Sequence, residues 1–159
     1  MKTMLFAVAA SMAIAGAASA VTWNITLSGL QENPPNASPA IGDAKVKFNP
    51  NTNFIKITGS FSGMIGNVTA GHLHGLAPAD MNAPVLFSVN PTLGGTSGTF
   101  GATAFLTDAQ EIGFFDYMTY LNIHTNVFPG GELRGQVVPA PAGAALLGAA
   151  GLFGLRRRR

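Results

Sequence analysis

Apolar and polar residues alternate with a period of two in stretch after stretch of this chain, and that pattern constrains the fold more than any other feature. Tyr120–Val138, YLNIHTNVFPGGELRGQVV, carries it most clearly. Leu121 and Ile123 fall on one face of an extended strand, and Tyr120, Asn122 and His124 on the other. Asn126–Gly131 is turn chemistry: Pro129 fixes φ, and Gly130 and Gly131 tolerate left-handed backbone. Glu132–Val138 then returns as a second strand, with Leu133 and Val137 on one side and Glu132, Arg134 and Gln136 on the other. The stretch predicts a hairpin with an apolar inner face and a polar, ionisable outer face.

The same period recurs upstream. Trp23, Ile25 and Leu27 alternate with polar neighbours, as do Ala44, Val46 and Phe48, then Ile55, Ile57 and Phe61. Val68–His74, Pro84–Val89 and Thr99–Leu106 are further strand candidates, divided by Gly, Pro and Asn turns such as Asn49–Thr52. Gly29–Gly42, with Pro34, Pro35 and Pro39, reads as a loop or irregular edge. One short helix is expected after Thr107. Thr107 and Gln110 form a capping box, Asp108 and Glu111 suit the positive end of the helix dipole, and the helix should end near Asp116. Short strands at this spacing predict an all-β body: an antiparallel, Greek-key-like sandwich or barrel with one helix.

The two ends read differently from this body. Met1–Ala20 has the features of a secretory signal peptide: Lys2, an apolar run too short to span a bilayer stably, and Ala18-Ser19-Ala20 before the expected cut after Ala20. At the other end, Val138-Pro139-Ala140-Pro141 precedes an apolar Gly/Ala-rich run to Leu155 and then Arg156, Arg157, Arg158 and Arg159. Ala142–Leu155 is shorter than the ~20 residues of a spanning helix, and the arginines would stay cytoplasmic. Three parts are therefore expected: a signal helix over 1–20, a β domain over 21–138, and a hydrophobic helical segment over 139–159.

Composition narrows the function. The pI of about 9.3 suggests a basic surface, but five of the nine basic residues lie at the two ends. Residues 21–138 hold four basic residues against all seven acids, a net charge of −3. A nucleic-acid partner, which needs a clustered basic face, is not expected. There is no Cys, so an exported body must rely on sheet packing or a bound ion rather than on disulfides. No Gly-x-Ser-x-Gly elbow is present, and Gly94–Gly101 lacks the Lys of a phosphate loop.

The three histidines lie in two stretches, Ala70–Gly75 (AGHLHG) and Tyr120–Val138. Residues i and i+2 of a strand share a face at about 6.5–7 Å, so His72 and His74 can aim at one point, and His124 could complete three nitrogen ligands. Such a set suits Zn²⁺ or copper, with water or a carboxylate as a fourth ligand. Glu132 is the nearest carboxylate by sequence. The apolar side of the His124 strand is Leu121/Ile123, so His124 should point away from the core, into a cluster under a loop. On the other strand the parity is ambiguous, because Val68 and Ala70 share the face of His72 and His74. The alternative is a structural network, with imidazoles bridging strands through Asn122, Thr125 or Glu132. A His-x-His on a strand also invites comparison with copper/zinc superoxide dismutase, a fold-level analogy.

The stretches AGHLHG…APVLFSVN, YLNIHTNVFPGGELRGQ and LSGLQENPPNASPAIGDAKVKFN together resemble the CHRD (chordin) domain over about Val21–Val138. The tail resembles the PEP-CTERM sorting signals of Gram-negative bacteria, nearest the Val-Pro-Leu-Pro-Ala variety, with Ala140 where Leu or Glu is commoner. That resemblance implies export by signal peptidase, recognition of the tail by an exosortase-like enzyme, at least transient membrane contact, and delivery to the cell surface. The function expected is a structural or ligand-binding role in the envelope or matrix, with a polysaccharide or protein partner. The alternative is a histidine-based Zn or Cu domain, with superoxide dismutase-like or hydrolytic chemistry. No catalytic residue is expected.

Overall fold

Eight of the alternating stretches form strands of one antiparallel sheet. The computed structural model describes residues 20–138. The strands are β1 (Val21–Ser28), β2 (Ile41–Asn49), β3 (Phe54–Ser62), β4 (Val68–Gly75), β5 (Val85–Ser88), β6 (Gly98–Phe105), β7 (Thr119–Thr125) and β8 (Leu133–Gln136), with α1 (Asp108–Phe115) between β6 and β7. Their order is β5-β4-β7-β8-β1-β2-β3-β6. The expected signal helix and C-terminal hydrophobic helix lie outside the described residues, apart from Ala20 and Val138. Among the described residues no helix is long and apolar enough to cross a membrane.

The sandwich-or-barrel alternative resolves to a barrel-like sheet that nearly closes on itself. Its two outer strands curl round until the segment after β5 meets β6. Gly101 N–H donates to the Val89 carbonyl at 2.7 Å, and Thr92 N–H to the Thr99 carbonyl at 2.8 Å. Closure covers the edge groups that an open sheet would leave exposed.

The inward faces are those the alternation predicts. Trp23, Ile25 and Leu27 of β1, Ala44, Val46 and Phe48 of β2, and Ile55, Ile57 and Phe61 of β3 all lie in the core, with Leu121 and Ile123 of β7 and Leu133 of β8. Helix α1 starts at the expected capping box: Gln110 N–H donates to Thr107 Oγ1 at 3.3 Å, and Thr107 N–H to Gln110 Oε1 at 2.9 Å. It delivers Phe114 edge-on to Trp23, with ring centroids 4.9 Å apart, a favourable aromatic geometry.

β4 resolves its ambiguous parity by a bulge. Its pairing with β7 shifts register between Val68 and Ala70. The extra residue, Thr69, puts Val68 and Leu73 on the core side together although they are an odd number apart. His72 and His74 are thereby released to the opposite face.

The outer face of the last hairpin is covered. Glu132 and Arg134 share the polar, ionisable side that alternation predicts, but that side is buried: they are 0% and 1% exposed. Alternation reports which residues share a face, but not whether loops cover that face. Here Gly29–Ala40, Leu76–Pro84 and Asn126–Gly131 fold over it: Asn36 donates to the Gly131 and Glu132 carbonyls, and Arg134 of β8 donates to Asn82 Oδ1 and the Ala79 carbonyl.

Candidate metal centre

On this covered outer face the two histidine stretches lie side by side. β4 and β7 are adjacent antiparallel strands, with His72 opposite Asn122, Ala70 opposite His124, and His74 opposite Tyr120. His72, His74 and His124 each offer a ring nitrogen within 4.8 Å of the other two. A four-coordinate zinc with bonds of ~2.0–2.1 Å needs nitrogens about 3.3 Å apart, so rotations of the order of 1 Å would close the set.

The proton positions follow from the partners. His74 Nδ1 lies 2.8 Å from the Ala83 carbonyl and His124 Nδ1 lies 3.0 Å from the Pro129 carbonyl. A carbonyl only accepts, so both Nδ1 atoms carry hydrogen and both Nε2 atoms present lone pairs. His124 Nε2 therefore accepts from His72 Nδ1 at 3.0 Å. His74 Nε2 is buried and has no partner. Burial lowers the pKa of all three imidazoles, chiefly by desolvation; the Ala83 and Pro129 carbonyls oppose it at His74 and His124. All three are neutral at neutral pH, the form that ligates metals.

Behind His74 stands a layered support. Its ring lies parallel to Tyr120, 2° from coplanar with centroids 4.9 Å apart. The Arg134 guanidinium covers the other face of Tyr120, 3.5 Å from the ring centre. Arg134 also donates to the carbonyls of Ala79 at 2.8 Å and Met81 at 3.0 Å, and to Asn82 Oδ1 at 3.1 Å. These bonds pin the loop that supplies the Ala83 carbonyl, and Ala83 N–H donates to the Tyr120 hydroxyl at 3.0 Å. Orientation of a ligand imidazole through Nδ1–H and a carbonyl is the usual outer layer of histidine metal sites.

Glu132 is not brought to the histidines. Its carboxylate accepts from Ser38 Oγ (2.6 Å), Ile65 N–H (2.6 Å), Gly66 N–H (3.2 Å) and Thr125 Oγ1 (2.7 Å). Burial alone would raise its pKa, but these four bonds outweigh it and hold the pKa low. It ties three loops together rather than serving as a fourth ligand. Nor does it pair with Arg134, whose partners lie in the 79–82 loop, on Tyr120 and on Gln136. Of the expected processing residues, Ala20 and Val138 are exposed, just outside β1 and β8; Pro139, Pro141 and Arg156–Arg159 lie outside the described residues.

Sequence reasoning placed the three histidines but not their supports. The shared face of Tyr120 and Arg134 was readable from alternation. Ala83 and Pro129 act through backbone carbonyls, which no side-chain pattern records.

Residues 23–137 match the CHRD domain family. The chain belongs to that family. The match spans the barrel from the third residue of β1 onward and includes both histidine strands of this CHRD domain. No match was found among curated proteins or among solved structures.

Proposed function

We propose that this chain is an exported CHRD-domain protein whose His72, His74 and His124 hold one zinc or copper ion. One observation carries the reading: His74 Nε2 is buried without a partner, within reach of two other imidazole nitrogens. A purely structural network would leave that acceptor unpaired, at about 1–3 kcal/mol. A metal ion uses it. The three sites present neutral nitrogen and no carboxylate, which suits zinc and copper over calcium or magnesium. To ligate through Nδ1, His72 moves its proton to Nε2 and gives up its bond to His124.

The leader and tail support export and delivery to the surface of a Gram-negative cell, with signal peptidase and an exosortase-like enzyme as transient partners. An envelope polysaccharide or protein would then meet the domain at the loop-covered face. The function is metal binding within an envelope or matrix role, and no catalytic step is assigned to it.

The test is elemental analysis of the purified full-length chain after exposure to Zn²⁺ or Cu²⁺ and dialysis. About one equivalent is expected for the wild type, and His74→Ala should lose it. Less than ~0.1 equivalent in a folded wild-type sample would end the metal reading. Recovery of the protein wholly in the culture medium, free of envelope and matrix fractions, would end the surface role.

A further inference from the structure

Next to the histidines, Glu32 and Asn122 face each other with too few hydrogens. Asn122 has two amide N–H groups, and both are used: one reaches Glu32 Oε2 at 3.5 Å, the other the Gly130 carbonyl at 3.4 Å. Two buried oxygens remain without partners, Glu32 Oε1 and Asn122 Oδ1. Both flank Gly131: a Cβ built there would stand 2.3 Å from Asn122 Oδ1 and 2.5 Å from Glu32 Oε1, which puts the two oxygens no more than 4.8 Å apart.

No neighbour supplies the missing donor. Gly131 N–H bonds to the Phe128 carbonyl, Asn36 Nδ2 to the carbonyls of Gly131 and Glu132, and Arg134 to the 79–82 loop and Gln136. Exchanging the amide oxygen and nitrogen of Asn122 would turn a donor toward Glu32 Oε1 but give up both present bonds and set the amide oxygen against the Gly130 carbonyl and Glu32 Oε2. One hydrogen on Glu32 Oε1 satisfies both orphans at once.

We propose that Glu32 is a neutral carboxylic acid in the folded protein, donating from Oε1 to Asn122 Oδ1, and that this proton ties the Glu32–Asn36 wall to β7, whose Asn122 amide in turn holds the Asn126–Gly131 loop at the Gly130 carbonyl. Between them lies a cleft of about 470 Å³ lined by Pro34, Pro35, Asn82 and Phe128 among others. Loss of the proton sets two buried oxygens against each other and displaces the Asn122 amide that holds the Gly130 carbonyl, loosening that side of the loop and making the cleft pH-sensitive. This holds whether or not the histidines bind metal.

The charges around the pair agree. Burial raises the Glu32 pKa to about 7, against the opposing Arg134 charge from β8 and the Asn122 bond. From the 76–84 loop, Asp80 acts on Arg134. Glu132, at the entry to β8, turns its carboxylate to Ser38, Ile65, Gly66 and Thr125. The β4 and β7 histidines are neutral at neutral pH.

A raised acid pKa favours folding at low pH, and the advantage is lost between the unfolded and folded values. Full-length wild type and Glu32→Gln are compared by urea denaturation from pH 4.5 to 8.5. Gln keeps a donor toward Asn122 Oδ1 and does not titrate, and the histidine contributions cancel in the ratio. The wild-type folding constant relative to the variant should fall about tenfold per pH unit between about 4.5 and 7, then level off. A constant ratio overturns the proposal. If the variant does not fold, carbon-13 titration of the three glutamate carboxyls in wild type decides. One titrating near 7 supports the lock; none titrating above the ordinary value overturns it. Hydrogen exchange in residues 126–131 should accelerate above pH 7 beyond its intrinsic rate, and an unchanged protection factor overturns the loosening.

Discussion

At the residue scale, the site rests on where single hydrogens sit. His74 is held by a carbonyl at one nitrogen and left free at the other, so His74→Ala should abolish binding while His74→Gln retains little. Arg134 is the test of the supporting layer. Lys cannot fork to the Ala79 and Met81 carbonyls or stack flat on Tyr120. Arg134→Lys should therefore weaken metal affinity about 10–100-fold, read by competition titration with a chromophoric chelator. An affinity within twofold of wild type in a folded variant would show that the layer does not orient His74.

At the element scale, Glu132 does for the loops what hydrogen-bonded pairing does for the strands. Its carboxylate gathers Ser38, the 65–66 turn and Thr125. Gln offers one acceptor oxygen and presents hydrogens to donors, so Glu132→Gln should cost about 2–4 kcal/mol in urea denaturation at pH 7. Because the Glu132 pKa is lowered in the fold, its contribution is present above the unfolded carboxyl value and is lost as pH falls through the folded one. The gap between variant and wild type should thus narrow in acid. Gly131 is a second such point. Its φ of +135° and the nearness of Asn122 and Glu32 leave no room for a methyl, and Gly131→Ala should cost upwards of ~2 kcal/mol.

At the scale of the whole molecule, a nearly closed barrel without disulfides gains a pH profile and a metal dependence from the same outer face. The three imidazoles have lowered pKa values. The unfolded chain therefore takes up more protons below about 6.5, and this part of the stability falls as pH drops through that value. Metal binding should weaken over the same range. At a free metal concentration a hundredfold above Kd, the folded state gains about 2.7 kcal/mol, a rise in Tm of the order of 10 °C. A melting temperature unmoved by saturating Zn²⁺ and Cu²⁺ would contradict this.

Much of this protein was determined by its local pattern. Alternation assigned Trp23, Ile25, Leu27, Val46, Phe48, Ile57 and Ile123 to the interior, and the Thr107–Gln110 box placed the helix, because both signals act over a few neighbouring residues. The pairing of His72 and His74 with His124 was legible as a possibility from i, i+2 spacing. Only the tertiary structure decided the rest. A bulge at Thr69 selects which face of β4 carries the histidines, and that depends on the register with β7. Glu132 and Arg134 are buried because distant loops cover them, and the Ala83 and Pro129 carbonyls reach the imidazoles only once those loops are folded down. Periodicity marks the two faces of a strand, but long-range packing decides which face meets water.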